Sequence, residues 1–534
     1  MAPPTTAKDN VLDAIVVGAG FAGLYMVHRL REAGLTVRGI EAGDGVGGTW
    51  YWNRYPGARC DIPSLLYSYT FSDDLAEQWQ WSEKYAPQPE ILAYANHVAH
   101  RFDLRRSFLF GTRVTSSHFD DAVKRWTVVT DRGDTFSARQ VVMATGCLSV
   151  PKQPDYPGVD RFRGKSYITG LWPHEGVDFT GQRVAVIGTG SSAIQSLPIV
   201  AEQASALTVF QRTPNYSLPA CNRTLTAEDV AAFRTAYPEY VAMLRMGQSF
   251  IPVFPRDFEP PQADLEAIAP ALWNGDGLLS LVAFPNLVRS ERVNAVAANY
   301  VRDRIAEIVD DPVLAEKLTP RDYPIGAKRA CVDTDYYATF NRANVRLVDL
   351  RETAIVEITE TGVRTRDETI EVDAIVYATG FDAMTGALSR IDIRGRDGLA
   401  LNDVWADGPR TYLGLQVAGF PNFFLITGPG SPSVLSNMLN SIEVHVDWIA
   451  DAVLHLRDRQ LATIEATGTA QDEWVAHVNE VADQTLFPQA NSWYIGANVE
   501  GKPRVFMPYV GDNYKQRIDA VAADNYAGFV LSAG

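Results

Sequence analysis

The sequence predicts an α/β protein with two Rossmann-like dinucleotide-binding domains and an α-helical insertion. Two glycine-rich loops support this prediction, GAGFAG at 18–23 and GTGSSA at 188–193. A short apolar run precedes each loop, at 13–17 and 183–187, and residues with helical spacing follow it. A strand, a glycine loop and a helix in this order place a phosphate at the helix N-terminus. Unpaired N–H groups and the helix dipole favour anions there.

The two units differ in the residue that closes the second strand. Strand 36–41 ends in Glu41, 23 residues after Gly18, whereas strand 207–212 ends in Arg212, 24 residues after Gly188. A carboxylate at this position accepts hydrogen bonds from a free ribose 2′-hydroxyl, and an arginine pairs with a 2′-phosphate. The sequence therefore predicts a flavin enzyme that binds FAD at the first loop and NADPH at the second. The residues predicted to bind them are Gly18, Gly20, Gly23 and Glu41 for FAD, and Gly188, Gly190, Ser191, Ser192 and Arg212 for NADPH.

Composition narrows the possible partners and compartment. The chain has 534 residues, enough for two to four domains, and a formal net charge of −16, which argues against nucleic acid as a partner. Its four cysteines form no CxxC pair, so we expect a reducing compartment and neither a metal site nor a disulfide framework. The N-terminal residues lack a basic region followed by an apolar run, so we expect no signal peptide, and the longest uncharged apolar stretch, 14–27, is too short to span a bilayer. We therefore expect a cytoplasmic protein with no membrane partner.

Two similar segments suggest where the chain crosses between the predicted domains. VVMATG at 141–146 and IVYATG at 375–380 each read as a buried strand ending in a turn of small residues. Residues 225–318 lack strand-like alternation, and a long helix is predicted at 434–456. The predicted domains are FAD-binding (1–149), NADPH-binding (150–220), helical insertion (221–324), NADPH-binding again (325–380) and FAD-binding again (381–534).

A glycine- and aromatic-rich stretch, GGTWYWNRYPGARCD at 47–61, follows the first unit. Its glycines allow the backbone to approach a cofactor, and its aromatic side chains suit packing on a flat ring. An aromatic surface loop is the simpler alternative. Because the stretch follows directly on a dinucleotide unit, we expect it to form part of the flavin pocket. The residues predicted to contribute are Gly48, Thr49, Trp50, Tyr55 and Asp61.

These motifs resemble those of the type I Baeyer–Villiger monooxygenases over nearly the whole chain, and the overall texture is most similar to the phenylacetone and steroid monooxygenase branch. The most specific match is GxWxxxxYPGxxxD, formed here by Gly48, Trp50, Tyr55, Pro56, Gly57 and Asp61. Other matching stretches are GTGSSA, FQRTPNY at 210–216, GAKR at 326–329, DYYATFNR at 335–342, ATGFDAMTGAL at 378–388, GPGSPSVLSNM at 428–438 and SWYIGAN at 492–498.

The resemblance implies a reaction. NADPH reduces the flavin, the reduced flavin and dioxygen give a flavin peroxide, and this attacks a hydrophobic (cyclic, aromatic or steroid-like) ketone to yield an ester or lactone. We also expect a monomer or weak dimer. Arg329 matches the family's catalytic arginine, and Asp61 the acid that orients it. The remaining implied roles are Lys328, Thr213 and Trp493 at the NADPH site and Ser431, Leu435 and Met438 at the substrate pocket.

One departure falls inside the family's signature, FxGxxxHxxxW followed by Pro or Asp. Here the segment reads FRGKSYITGLWP, and the histidine position is Ile168. An apolar side chain cannot make the hydrogen bonds of an imidazole. Because this segment links the domains in the family, reduction, coenzyme positioning or coupling is expected to be altered.

Three alternatives remain at this level. A flavin monooxygenase that oxidises amine nitrogen or sulfide sulfur shares both loops, but the YPGARCD stretch and the Lys328–Arg329 pair favour ketone oxidation. An NADPH-dependent disulfide reductase needs a closely spaced cysteine pair, which the sequence lacks. A flavoprotein that binds NADPH without turnover is supported only by Ile168.

Overall fold

The computed structural model describes residues 11–246, 255 and 258–533. The first ten residues of the predicted FAD-binding domain, the last residue, and 247–254 and 256–257 of the predicted insertion lie outside this range. The predicted fold class is confirmed: two parallel or mostly parallel sheets each contain a strand that is followed by a glycine loop and a helix. In the described residues, no helix is both long enough and apolar enough to cross a membrane.

The first sheet has eight strands and carries the first glycine loop. All of its pairings are parallel except those of Arg125–Thr130, which is antiparallel to both neighbours. In spatial order the strands are Asp392–Arg394, Val114–Asp120, Arg125–Thr130, Thr135–Met143, Val11–Val17, Val37–Ile40 and Phe108–Leu109, with Phe423–Leu425 also paired to Thr135–Met143.

The second sheet has five strands, all parallel, and carries the second glycine loop. Its central strands are mostly apolar and buried, as expected for a parallel sheet covered on both faces. In spatial order they are Val345–Asp349, Ala206–Gln211, Arg183–Ile187, Ala374–Tyr377 and Lys165–Ile168. The chain passes from the first sheet to the second after Thr135–Met143 and returns after Ala374–Tyr377.

Three smaller strand groups complete the described sheets. Ser217–Pro219 and Cys331–Asp333 pair in parallel and hold the two ends of the segment predicted as the insertion. The others are antiparallel: Ile355–Ile358 with Gly362–Thr365 and Thr369–Glu371, and Leu461–Ala466 with Phe529–Ala533.

Helices cover both sheets and form most of the described part of 221–324. The described α-helices are Phe21–Glu32, Thr49–Trp52, Asp73–Gln78, Gln88–Arg101, Ser191–Gln203, Ala227–Arg245, Gln262–Ile268, Ala271–Asn274, Glu291–Ile308, Pro312–Leu318, Tyr336–Thr339, Leu401–Val404, Met438–Asp458, Gly468–Asp483 and Tyr514–Ala523.

The long helix begins later than its sequence pattern predicts. The predicted span 434–456 is wrong at its start, because the helix runs from Met438 to Asp458. The Asn437 side chain accepts a hydrogen bond from the Leu439 N–H and caps the helix, and residues 433–435 form a separate 3₁₀ turn. Apolar spacing continues through that turn, so periodicity alone did not reveal the cap.

Each glycine loop packs against one of the two small-residue turns. Gly18 has φ +109°, and a Cβ placed on it would lie 2.5 Å from the carbonyl oxygen of Ala144. Gly188 has φ +117°, and a Cβ there would lie 2.4 Å from the carbonyl oxygen of Ala378. Both positions therefore require glycine. VVMATG and IVYATG support the two loops in the same way.

Candidate functional site

The helices after the two glycine loops begin without a side-chain cap. Gly20 and Gly190 occupy the N-cap positions, no side chain accepts a hydrogen bond from the first turn, and no acidic residue lies in that turn. Four other long helices are capped by the side chains of Thr226, Ser290, Asn437 and Thr467. The two glycine-loop helices therefore keep N–H groups that suit a phosphate, as a dinucleotide requires.

The aromatic stretch 47–61 packs directly on the first glycine loop. The Gly47 N–H donates to the Ala19 carbonyl at 2.9 Å, and a Cβ on Gly48 would lie 2.8 Å from the Cα of Gly20. Thr49 is exposed beside this contact, whereas Trp50 is buried and donates its indole N–H to the Tyr67 hydroxyl at 3.1 Å. Gly48 and Thr49 thus lie next to the phosphate-binding turn, and Trp50 supports them from the core.

Glu41 lies buried at the end of its strand, within reach of the first loop. Its Oε2 accepts the Ala19 N–H at 2.6 Å, and its Oε1 accepts the Gly43 N–H at 2.7 Å. Burial raises the pKa of Glu41, while the Gly43 and Ala19 N–H groups act against that rise. The Ala42 N–H also acts on the carboxylate, which has about four acceptor sites and so still fits a ribose hydroxyl as well as the loop.

Two unpaired cations lie at the second glycine loop. Arg212 is exposed directly after Ala206–Gln211, and Lys328 lies with its Nζ 4.2 Å from the centre of the Tyr323 ring. Burial and the charge of Arg212 lower the pKa of Lys328 to about 8. Neither cation has a carboxylate within 4.0 Å in the part of the chain that the structure describes. Two neighbouring cations without an acidic partner fit a 2′-phosphate.

Hydrogen bonds connect the second loop to its surroundings through residues that were predicted as ligands. The Thr213 carbonyl accepts from the Thr189 hydroxyl at 2.9 Å, and the Ser191 hydroxyl lies 3.2 Å from the Cys331 sulfur. Ser191 therefore faces the strand that follows Arg329. Thr213 contributes its backbone to the loop in this structure.

Tyr55 joins the two halves of the molecule. Its hydroxyl donates to Oε1 of Gln195, on the second glycine-loop helix, at 2.9 Å. Burial raises the pKa of Tyr55 to about 12, and a hydrogen bond with the neighbouring Ser192 opposes that rise. The sequence pattern predicts a flavin contact for Tyr55, and the structure adds an interdomain hydrogen bond that no local motif indicates.

Arg329 and Asp61 form a two-point ion pair. Nε of Arg329 lies 2.5 Å from Oδ2 of Asp61, and Nη2 lies 2.8 Å from Oδ1. The third nitrogen, Nη1, donates to the Val434 carbonyl at 2.7 Å. The two side chains are 23% and 24% exposed. The guanidinium is thus fixed on two sides and remains accessible.

Each partner of this pair stabilises the charge on the other. Burial acts to raise the pKa of Asp61, but the Arg329 guanidinium outweighs it and holds that pKa below its usual value. Burial acts in the opposite direction on Arg329, and Asp61 outweighs it, so the pKa of Arg329 is raised. Arg329 therefore remains cationic through any pH at which the protein is folded.

Trp493 is adjacent in sequence to Tyr494, whose side chain comes close to the Arg329–Asp61 pair. The 3₁₀ turn Trp493–Ile495 buries Tyr494, and burial raises the pKa of Tyr494 to about 12 while Arg329 acts to lower it. The Trp493 and Tyr494 ring centres are 4.4 Å apart. Tyr494 was missed by sequence reasoning, although it lies inside the SWYIGAN stretch.

A cavity of about 1500 Å³ opens beside Arg329. Of the three predicted substrate residues, Leu435 lines it. Ser431 is fully buried and donates its hydroxyl to the Gly428 carbonyl at 2.7 Å, and Met438 is the first residue of the long helix; neither is among the described residues that line the cavity. Its apolar wall includes Leu278, Leu281, Phe284, Leu287, Val434 and Leu435.

Ile168 ends the edge strand of the second sheet, opposite Tyr377. It is partly buried and packs against an apolar cluster that includes Ile187 and Phe210. The position therefore lies next to the turn 378–380, where the chain leaves the second sheet.

Comparison with known proteins shows that the chain is similar to monooxygenases over nearly its whole length. Residues 15–226 match the pyridine nucleotide-disulphide oxidoreductase family. A 2-oxo-Δ(3)-4,5,5-trimethylcyclopentenylacetyl-CoA monooxygenase of Pseudomonas putida is 40% identical over 98% of this chain and 99% of its own length. A Baeyer–Villiger monooxygenase of Pseudooceanicola batsensis is 40% identical over 97% and 96%. The solved structure of an oxidized steroid monooxygenase bound to NADP is 51% identical, covers 98% of this chain and 100% of that one, and gives a TM-score of 0.93.

Proposed function

This chain belongs to the Baeyer–Villiger monooxygenases, and on that premise we propose that Arg329 and Asp61 form the centre at which a bulky hydrophobic ketone becomes an ester or lactone. The chain is an FAD- and NADPH-dependent flavoprotein of the ketone-oxidising class. The observation that carries the proposal for Arg329 is its two-point pairing with Asp61 at the wall of the large cavity.

FAD, once reduced by NADPH, supplies the electrons that activate dioxygen. We assign its phosphates to the turn of Gly18, Gly20 and Gly23 and its ribose to Glu41. The uncapped helix and the remaining acceptor capacity of Glu41 support this assignment. Gly48, Thr49, Trp50 and Tyr55 complete the pocket, because their segment packs on that turn.

We assign NADPH to the second loop, with the residues Gly188, Gly190, Ser191 and Ser192 around its phosphates. Arg212 and Lys328 hold the 2′-phosphate, and Thr213 and Trp493 contribute nearby. The support is the uncapped helix and the two unpaired cations. A 2′-phosphate relieves the repulsion between those cations, which NADH does not do.

Arg329 stabilises negative charge as it develops on the reacting oxygen atoms. A guanidinium keeps its proton at any working pH, so it acts as an electrostatic group and not as an acid. Asp61 holds two of its nitrogens, and Val434 holds the third. Such a fixed donor needs little reorganisation during the reaction, which is the condition for strong stabilisation.

The substrate class follows from the cavity and the relatives. About 1500 Å³ exceeds the need of a small ketone, and the wall of the cavity that contains Arg329 includes the six apolar side chains named above. A steroid monooxygenase is among the similar solved structures. We therefore propose a bulky polycyclic or aryl ketone, with dioxygen as co-substrate. We also propose a cytoplasmic location, in keeping with the three buried, free cysteines. For the oligomeric state we propose a monomer or weak dimer.

The test uses the purified, FAD-loaded protein with NADPH in air. The ketone panel contains phenylacetone, small and large cycloalkanones and a 20-ketosteroid, and an amine and a sulfide serve as competing substrates. NADPH consumption, hydrogen peroxide and product mass are recorded together. We expect a product heavier by one oxygen that fragments as an ester, with the highest yield for bulky ketones. Exclusive nitrogen or sulfur oxidation would contradict the proposal, and so would peroxide without any oxygenated product.

A further inference from the structure

A series of buried hydrogen bonds runs from Tyr514, in the cavity wall, through His445 of the long helix. The Thr427 N–H donates to Nδ1 of His445 at 2.9 Å, and Nε2 lies 2.8 Å from the Tyr514 hydroxyl. That hydroxyl donates to the Leu413 carbonyl at 2.5 Å. His445 is completely buried. The function proposed above assigns no role to any of these side chains.

The backbone groups at the two ends, the Thr427 N–H and the Leu413 carbonyl, fix the direction of these hydrogen bonds. Nδ1 of His445 must accept, because the Thr427 N–H only donates, so the ring proton resides on Nε2. The Tyr514 oxygen accepts that proton's hydrogen bond and donates its own hydrogen to Leu413. Every polar atom is satisfied by one tautomer of a neutral imidazole. Burial lowers the pKa of His445 to about 3, so the ring is neutral under assay conditions.

These hydrogen bonds hold residues that have an unfavourable backbone conformation. Leu413 has φ +59° and Thr427 φ +55°, and Ser433, six residues further, has φ +43°. Left-handed geometry brings the Cβ of an L-residue too close to a carbonyl oxygen, and a β-branched threonine is poorly suited to it. Such residues persist where the surroundings over-determine them, which marks functional positions. His445 and Tyr514 bind the backbone at Thr427 and Leu413.

The segment 427–434 carries this constraint to Arg329. It is held along its length, because the Gly430 N–H donates to the Met507 carbonyl at 2.7 Å and the Ser433 hydroxyl lies 3.0 Å from the Cys147 sulfur. It ends at the Val434 carbonyl, which accepts from Nη1 of Arg329 at 2.7 Å. Because these contacts make the short segment rigid, a rotation of the turn at Thr427 is passed on to the Val434 carbonyl instead of being absorbed between them.

We propose that His445, together with Tyr514, is a positioning residue for Arg329, acting through the left-handed turn at Thr427 and the carbonyl of Val434. The inference rests on the proposed role of Arg329. Asp61 holds one edge of the guanidinium, and the Val434 carbonyl prevents rotation about that edge. Loss of the imidazole acceptor releases the Thr427 N–H, moves Val434 and leaves the guanidinium misdirected. None of the residues of this path is among those assigned to the two glycine loops, so we expect cofactor binding to change less than ester formation.

A matched pair of variants tests the proposal on the FAD-loaded enzyme. Asparagine and leucine have similar size, but only asparagine can offer Thr427 an acceptor near the position of Nδ1. We expect His445→Leu to lower the ester formed per NADPH by about tenfold or more. The rate of anaerobic flavin reduction by NADPH and the FAD content should change by less than about twofold. His445→Asn should recover most of the ester yield, and Tyr514→Phe should fall between the two.

Three results would overturn the proposal. One is an unchanged ester yield in His445→Leu, and another is equal loss in the leucine and asparagine variants together with loss of FAD, which a purely structural histidine would cause. The third is a crystal structure of His445→Leu in which the Val434 carbonyl still accepts from Nη1. The position of the Val434 carbonyl in that crystal structure can be determined whether or not the enzyme forms an ester. A wild-type enzyme that makes no ester would contradict the proposed function, whereas the position of Val434 would still decide the role of His445.

Discussion

Arg329 and Asp61, 268 residues apart in the chain, meet in a fork-to-fork pair with N–O distances of 2.5 and 2.8 Å. Asp61 closes the glycine- and aromatic-rich stretch that packs on the first glycine loop, and Arg329 lies between the helical segment and the strand Cys331–Asp333. The pair therefore joins the two parts of the protein to which we assign the two cofactors. Its formation depends on the relative placement of both parts.

Arg329→Ala should leave FAD bound and abolish ester formation. The variant removes the cation that stabilises the reacting oxygen but touches no residue of the first glycine loop. FAD content is measured by absorbance, and ester by product mass. Retained ester yield would contradict the assignment. Asp61→Asn is the matched comparison: it keeps the hydrogen-bonding shape but removes the negative charge, so we expect a partial loss with the arginine still present.

Arg212→Ala should weaken the use of NADPH far more than that of NADH. The charge-assisted contacts with the 2′-phosphate contribute about 1.5–3 kcal/mol, or roughly a 10- to 150-fold change in KM. NADH lacks that phosphate and should be affected little. Arg346→Ala, on the neighbouring strand and paired with Glu368, is the control for a lost surface arginine. Equal effects of Arg212→Ala on the two coenzymes would remove its 2′-phosphate role.

Coenzyme affinity should fall as pH rises through about 8. The pKa of Lys328 is lowered to about 8 by burial and by Arg212, so its charge is present below that pH and is lost above it. The 2′-phosphate, with a second pKa near 6, is a dianion throughout this window. The loss of affinity therefore follows the lysine. Titration of the FAD-loaded enzyme with NADP⁺ at pH 7, 8 and 9 measures it.

Lys328→Arg provides the control for that titration. An arginine stays charged to far higher pH, so the affinity of this variant should remain flat between pH 7 and 9. A wild-type affinity that is equally flat would show that the ammonium does not contribute to NADP⁺ binding. A decline that persists in Lys328→Arg would indicate that another group titrates.

Short sequence patterns predicted those parts of the structure that form within one short segment of the polypeptide. Both glycine loops, the strands around them and the positions of Glu41 and Arg212 follow from strand–loop–helix order and a fixed spacing. Gly23 is required by a contact within the first loop, because a Cβ there would lie 1.8 Å from the carbonyl oxygen of Gly18. Both residues belong to the same six-residue motif, so the motif contains the physical cause of this requirement.

Contacts between distant segments were not predictable in this way. The Tyr55–Gln195 hydrogen bond joins residues 140 apart, and Tyr494 comes close to Arg329 from a third segment. His445 has no neighbouring motif: a single histidine on the buried face of a helix gives no sign of its partners. Ser431 matched a substrate-loop pattern, but its hydroxyl satisfies the Gly428 carbonyl within the turn. Each of these contacts depends on how helices, strands and turns pack together, which no local sequence pattern indicates.

Ile168→His tests the one departure from the signature. Ile168 packs against the apolar cluster of the second sheet at the strand end, opposite Tyr377. Replacing it by a partly buried imidazole should lower the free energy of unfolding by about 1–3 kcal/mol. In exchange, the ring nitrogens can bond to the turn 378–380, where the chain passes back to the first sheet. We expect a lower ratio of peroxide to ester, measured with NADPH and a converted ketone. Ile168→Leu keeps the position apolar and should leave that ratio unchanged. If the histidine variant also shows no change while it remains folded, the chain works without an imidazole at this position.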